Sequence, residues 1–131
     1  MIQPNLPKVN IINGFFEPIK LIEYNKPKEF YLFSETETTK EVWLPNSITL
    51  NKRIVTCVDY IADGTAYLIT GLKVDLKEDG LYVGGENISN IEDGEYSIGY
   101  QFRIDEEMWN TDPYERKISK GTIYGVSLIK D

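Results

Sequence analysis

Few residues in this 131-residue chain have side chains that commonly carry out chemistry. There is no histidine, which removes the most common general base, the Ser-His and Cys-His nucleophile pairs and most zinc sites. The single cysteine, Cys57, stands between Thr56 and Val58 in a strand-like segment, where a buried and inert thiol is expected. A lone thiol forms neither an intramolecular disulfide nor a Cys-x-x-Cys redox pair. The sequence therefore predicts no catalytic residues.

Carboxylates are abundant, but their spacing is not that of a metal or catalytic site. Residues 75–80 lack the alternating oxygen ligands and the closing glutamate of a calcium loop. Residues 105–107 are adjacent acids, whereas a glycosidase holds two carboxylates at a defined separation across a sugar. Gly84-Gly85 lacks the Lys-Ser/Thr ending of a phosphate-binding loop. We predict a protein that is not an enzyme and that has no metal site and no cofactor.

The acidic residues are unevenly distributed along the chain. The net charge is −7, and residues 53–131 carry all of it, because residues 1–52 hold six acids and six bases. Residues 75–107 hold ten acids against two basic residues. A negative field repels phosphate, so nucleic acid and anionic membranes are disfavoured as partners. No apolar run has the length of about 20 residues that a membrane span needs.

Apolar residues alternate with polar ones rather than following a helical period. Between residues 95 and 104, Tyr96, Ile98, Tyr100, Phe102 and Ile104 share one face of a strand. The sequence predicts an all-β fold, either a compact antiparallel β-sandwich or a small β-barrel. We expect the core to contain six apolar residues that lie on the strongest strand patterns: Ile54, Val58, Leu68, Ile98, Tyr100 and Phe102.

Turn residues divide the chain into hairpins. Residues 53–61 and 65–73 flank a turn ending in Gly64, and because both carry apolar residues on both faces, we expect them to be central strands. Asp79-Gly80 predicts a further tight hairpin. Residues 105–119 form the one helical candidate, which Pro113 limits to one or two turns. Interior glycines, Gly71, Gly99 and Gly125, predict bends or bulges within strands.

The first 18 residues combine prolines with apolar side chains. Pro4, Pro7 and Pro18 forbid a helix there, so we expect an extended N-terminal arm over residues 1–18 and a single β-domain over residues 19–131. Because the arm is too apolar to stay in water, it must dock on its own domain or on a neighbour, and we expect Phe15 and Phe16 to be buried against a neighbouring subunit or partner.

A second apolar segment, residues 108–114, carries two aromatic residues in what the pattern predicts to be a connection. Tryptophan and tyrosine on loops are typical of binding surfaces, although Trp109 equally fits a plug at one end of the sandwich. Seven apolar residues are therefore our candidates for a protein interface. They are Ile11, Ile12, Phe15, Phe16, Met108, Trp109 and Tyr114.

One short motif resembles a known group of proteins. The segment Glu41-Val42-Trp43-Leu44-Pro45-Asn46-Ser47 is similar to a strand and turn found in small β-rich bacteriophage proteins, in which Lys is usual at the position of Asn46. Lysine outnumbers arginine eleven to three and there are sixteen isoleucines, a bias typical of AT-rich genomes such as those of low-GC bacteria and their phages. The resemblance implies a phage origin and no functional residue.

These observations favour a non-enzymatic structural or interaction protein of a bacteriophage particle, such as a capsid-auxiliary, head–tail or fibre-attachment component. Its partners would be other protein subunits, in an oligomer or larger assembly located in the virion or the host cytoplasm, since no secretory signal is expected at residues 1–8. Two alternatives remain open. One is an acidic inhibitor of a host defence nuclease that uses residues 75–107, and the other is an oligonucleotide-binding barrel.

Overall fold

The computed structural model of the protein describes residues 6–31, 38–111 and 114–131. These residues form ten strands and no helix, so the predicted all-β class is confirmed. In chain order the strands are β1 (Lys8–Ile11), β2 (Phe16–Glu23), β3 (Lys28–Tyr31), β4 (Thr38–Trp43), β5 (Ile48–Tyr60), β6 (Thr65–Leu68), β7 (Leu72–Lys77), β8 (Gly80–Gly85), β9 (Gly94–Thr111) and β10 (Tyr114–Lys130).

The strands build two sheets that enclose one hydrophobic core. The larger sheet has seven strands in the order β1-β9-β10-β4-β3, with β5 also paired to β10 and β6 paired to β5. The smaller sheet has three antiparallel strands in the order β2-β8-β7. The sheets do not close into a barrel, which makes the fold a β-sandwich.

The long hairpin of β9 and β10 is the centre of the larger sheet. β10 pairs antiparallel with β9 along its whole length and parallel with β4 and β5 on its other side. Register shifts leave Ser119 and Tyr124 of β10 and Asp105 of β9 outside the ladder. Such bulges bend a strand and increase its twist. The bulge beside Gly125 agrees with the prediction that this interior glycine marks a bend or bulge within a strand.

The helical candidate at residues 105–119 was wrong. Residues 105–111 continue β9, and residues 114–119 belong to β10. Their backbone groups bond across the hairpin and on to β4, and these long-range ladders override local helix preference. Pro113, which limited the helix, lies outside the described residues.

Apolar and polar residues alternate along β9, and the apolar ones face the core as predicted. Tyr96 and Ile98 are fully buried, and Tyr100, Phe102 and Ile104 are half-buried against the core. Of the other predicted core residues, Val58 is buried and Ile54 packs against the core.

Leu68 was predicted wrongly, since it is 77% exposed. The hairpin across Gly64 is confirmed, with Cys57 opposite Leu68 and Tyr60 opposite Thr65. However, β6 ends at Leu68 and is an edge strand rather than a central one.

Gly71 marks the point at which the chain leaves the larger sheet. Its φ of +98° is a conformation that glycine adopts without strain, and a Cβ there would approach the backbone oxygen of Glu86 to 2.6 Å. Glu86 N donates to Gly71 O at 2.9 Å, and β7 then begins in the smaller sheet. The predicted hairpin at Asp79-Gly80 joins β7 to β8 and is confirmed.

The N-terminal arm is part of the domain from residue 8 onward, which corrects the prediction. β1 pairs with β9, and Ile11 and Phe16 are buried in the chain's own core. Asn13 and Gly14, with φ of 52° and 70°, form a two-residue turn between β1 and β2 of the kind that Asn-Gly favours in hairpins. Pro18 lies on β2, an edge strand, where a missing N–H is tolerated. Residues 1–5 lie outside the described residues.

Leu128 and Leu68 provide a matched test of this core. Leu128 is 0% exposed, so Leu128→Ala should lower the free energy of unfolding by about 2–5 kcal/mol through lost burial and a residual cavity. Leu68→Ala should change it by less than about 0.5 kcal/mol. Urea unfolding at low protein concentration measures both. Equal losses in the two variants would contradict the assignment of β6 as an exposed edge.

Candidate functional site

The seven predicted interface residues divide between core and surface. Ile11 and Phe16 are buried and are unavailable to a partner. Ile12 and Phe15 flank the β1–β2 turn and are about half exposed. Two others, Met108 and Trp109, are exposed near the end of β9. The Tyr114 side chain lies outside the described residues.

The exposed candidates do not form one surface. Asn13 N, in the β1–β2 turn, donates to Asp93 Oδ1 at 2.9 Å, so Ile12 and Phe15 lie beside the start of β9. Met108 lies fourteen positions along β9 from Gly94. At about 3.3 Å per residue, that is about 45 Å along the strand. The two groups are thus at opposite ends of the sandwich.

A third exposed apolar cluster, which the sequence analysis missed, lies on β5 and β6. Val55 and Leu68 are on the outer face of the larger sheet, where Leu68 is paired with Cys57 and Val55 precedes Cys57 by two residues. Tyr67 is on the opposite face at the same edge, with its ring 6.0 Å from that of Tyr60. We call Val55, Tyr67 and Leu68 the edge cluster. Apolar residues on both faces of β5 indicated burial, but one of those faces is open.

β6 differs in composition from the other edge strands. Edge strands usually carry charges or proline, which discourage pairing with another chain. Of the five edge strands in the described part of the chain (β1, β2, β3, β6 and β7), only β6, with the sequence Thr-Ala-Tyr-Leu, has neither.

The outer edge of β6 presents unpaired backbone groups. Ile69 N donates to Thr56 O at 3.0 Å, which fixes the hydrogen-bonded pairs of the β5–β6 ladder. Because hydrogen-bonded and non-hydrogen-bonded pairs alternate in an antiparallel ladder, the N–H and C=O groups of Ala66 and Leu68 point away from β5. No strand of the described residues pairs with this edge.

The polar centre of the molecule is Glu41 on β4, whose side chain is almost fully buried. Trp43 Nε1 donates to Glu41 Oε1 at 3.0 Å and Tyr100 OH donates to the same oxygen at 3.2 Å. Arg116 Nη1 lies 3.5 Å from Glu41 Oε2. Burial raises the pKa of Glu41 despite these partners, and burial likewise raises the pKa of Tyr100.

Arg116 connects this carboxylate to the far end of the long hairpin. Its Nε lies 3.2 Å from Glu107 Oε2, and its guanidinium lies 5.0 Å from the centre of the Trp109 ring. Trp109 therefore packs on Arg116. Because Trp43, Tyr100 and Arg116 surround the Glu41 carboxylate, this cluster holds β4 to the hairpin.

The motif that resembles phage proteins has a structural role at each end. Glu41 and Trp43 belong to the buried cluster, and Leu44 N donates to Ile118 O at 3.0 Å. The following turn has Asn46 at a φ of 62°, a region that asparagine tolerates better than most residues. The motif thus sets the bend between β4 and β5 while both follow β10.

A concavity of about 620 Å³ opens between the end of β2, the connection to β3 and β4. Its apolar lining includes the exposed Pro27, with the buried Leu21 and Trp43 beneath it. Four lysines line it: Lys20, Lys26, Lys28 and Lys40. Lys28 is partly buried and its Nζ donates to Leu21 O at 2.7 Å. Burial lowers the pKa of Lys28, because its charge is held in a poorly solvated position.

The acids of residues 75–107 do not converge on one face. Asp79 pairs with Lys20 beside the smaller sheet, Glu95 pairs with Lys8 on the larger sheet, and Glu107 pairs with Arg116 at the hairpin end. Their charge is therefore divided between both sheets and partly neutralised.

Comparison of the chain with protein-family models, with curated proteins and with solved structures finds no match. Within residues 6–31, 38–111 and 114–131, no group of three or more Cys, Asp and Glu side chains is placed to hold a metal ion. The same residues contain no helix long and apolar enough to cross a membrane. Function must therefore be argued from the surfaces of the molecule.

Glu41→Gln should change how stability depends on pH. Because the pKa of Glu41 is raised in the folded protein, its contribution to stability is greatest at acidic pH and falls as pH rises through that pKa. The free energy of unfolding of the wild type, relative to Glu41→Gln, should therefore decrease as pH rises above 4.5, the ordinary pKa of a glutamate. Urea unfolding across this range measures the difference.

Glu23→Gln is the control for this titration. The hydrogen bond and charge of Lys20 lower the pKa of Glu23, so its stabilisation is lost as pH falls. The wild type, relative to Glu23→Gln, should gain stability as pH rises. Slopes of the same sign in the two variants would contradict the burial assigned to Glu41.

Proposed function

We propose that the chain is a non-enzymatic structural protein that acts by contact with other protein subunits, through the edge of β6 and the edge cluster. The observation that carries the proposal is an uncharged, proline-free edge strand on which Leu68 is 77% exposed. This edge offers both the backbone groups and the apolar side chains that strand addition uses.

The energetics of the edge favour association. Burying a large apolar side chain contributes about 1.5–3 kcal/mol, and the edge cluster offers three that are about half exposed or more. A strand added beside β6 would also satisfy the outward-facing groups of Ala66 and Leu68. Because the strand has no charged residue, a second β6 could approach it without direct repulsion within the pair. Other copies of the chain are therefore the first partner to test.

We further propose that the assembly is a bacteriophage particle, with the chain as a capsid-auxiliary, head–tail or fibre-attachment component. The support is the Glu41–Ser47 resemblance and the lysine- and isoleucine-rich composition. A compact sandwich with one edge strand open to pairing suits a repeated subunit, because each neighbour covers the apolar side chains and backbone groups that the isolated subunit exposes. Its location would be the virion or the host cytoplasm.

The structure gives less support to the two alternatives. An acidic inhibitor of a nuclease needs its acids on one face, whereas those of residues 75–107 are spread over both sheets and many are paired. An oligonucleotide-binding barrel needs a closed or nearly closed sheet, whereas the two sheets here are separate.

Leu68→Glu should abolish self-association. A carboxylate on the β6 edge removes apolar burial and places like charges together if two edges meet. Leu76→Glu is the matched control, because Leu76 is an exposed leucine on β7, an edge strand that already carries Lys73, Asp75 and Lys77. Sedimentation velocity over a range of concentrations should show oligomers for the wild type and for Leu76→Glu and monomers for Leu68→Glu. Wild-type protein that remains monomeric throughout would contradict self-assembly through β6.

The particle assignment has its own test. Mass spectrometry of gradient-purified particles, from the phage whose genome encodes the chain, should detect it at a stoichiometry similar to that of other structural subunits. Phage carrying the Leu68→Glu variant should contain less of the protein, and phage carrying Leu76→Glu an unchanged amount. Detection in the host lysate but not in the particles would contradict a virion role.

A further inference from the structure

The lysine-lined concavity is separate from the β6 edge and has a different chemistry. Its lining has four ammonium groups and one carboxylate, Glu23. Two more acids lie beside it, Asp79 on Lys20 and the buried Glu41 near Lys28. Four lysines against one carboxylate make the lining predominantly basic, in a protein whose net charge is −7.

Two of the lysines are fixed in place by acids. Lys20 Nζ lies 2.9 Å from both Glu23 Oε1 and Asp79 Oδ2, and Lys26 Nζ lies 3.6 Å from Glu23 Oε2. Lys20 and Lys26 thus define one wall of the concavity, and each ammonium keeps donors that these contacts do not use.

The other two lysines, Lys28 and Lys40, lie opposite Glu41 and Glu29 in the β3–β4 ladder, and neither forms an ion pair with the carboxylates whose side chains the structure describes. Lys28 Nζ donates to the carbonyl oxygen of Leu21, a neutral acceptor, and has two further protons to donate. Lys40 lies on β4 and is exposed. An anion beside Lys28 would add to the charge of Glu41 and relieve the cost of holding the Lys28 ammonium in a half-buried position.

We propose that this concavity binds a multivalent anion, a small ligand with two or more phosphate or carboxylate groups, held by Lys28 and Lys40. Its volume of about 620 Å³ is in the range of small-molecule sites, and the exposed Pro27 gives its lining an apolar surface for the ligand's carbon framework. One anionic group would contact Lys28 at the inner end, and another would contact Lys40 at the mouth.

Isothermal titration calorimetry at low ionic strength tests this directly, with tripolyphosphate and citrate as the two probes. Lys28→Met keeps the length of the side chain and removes the charge, and Lys40→Ala removes an exposed lysine. Each should weaken binding about tenfold, the loss expected for one charge-assisted hydrogen bond. A preference for tripolyphosphate identifies phosphate as the ligand group, and a preference for citrate identifies carboxylate.

The control variant is Lys52→Ala with Lys120→Ala, which removes two exposed lysines that do not line the concavity. Binding by this variant should match that of the wild type. Equal weakening in the control and in Lys28→Met with Lys40→Ala would show general electrostatic attraction and would overturn the site. Absence of binding of both probes to the wild type would also overturn it. Because Lys40 is exposed, Lys40→Ala remains informative if Lys28→Met does not fold.

Discussion

The pairing of β9 with β10 is the interaction on which the rest of the structure depends. β10 is bonded on both sides, to β9 in one direction and to β4 and β5 in the other. Its core-facing residues Ile118, Ile123, Val126 and Leu128 are fully buried. Every other strand of the larger sheet pairs with this hairpin directly or through one intermediate strand. The opposite face of β10 is mixed and includes Lys117, Thr122 and Ile129, and the bulges at Ser119 and Tyr124 bend the strand along its length.

The sequence predicted those parts of the fold that local pattern determines. Alternation over residues 95–104 identified the core face of β9, and Asp79-Gly80 identified a hairpin, because each signal depends on neighbouring residues. Whether an apolar strand is central or at an edge depends instead on what pairs with it, so Leu68 was placed in the core. The N-terminal arm was a different error. Asn13-Gly14 between apolar residues is a strong hairpin signal, and it was present in the sequence.

The candidate sites were not predictable from the sequence because topology assembles them. Glu41, Tyr100 and Arg116 come from three strands and meet only because β4 and β9 lie on opposite sides of β10. The concavity was not predictable for the same reason. Its lysines belong to residues 1–52, which hold six acids and six bases and therefore have no net charge. Composition averages over positions, whereas the fold brings four of the lysines to the lining of one concavity. A basic concavity in an acidic protein is therefore visible only in three dimensions.

The association proposed through β6 would have to overcome repulsion between acidic copies of the chain. A net charge of −7 repels other copies at most orientations, and like charges 4 Å apart near a surface cost about 4 kcal/mol. The β6 edge has no charge of its own, so an approach along it avoids that cost locally while burying Leu68 and its neighbours. In the proposed assembly, repulsion elsewhere would favour docking geometries that bring β6 to the contact. The same charge would then oppose other contacts and give specificity to that assembly.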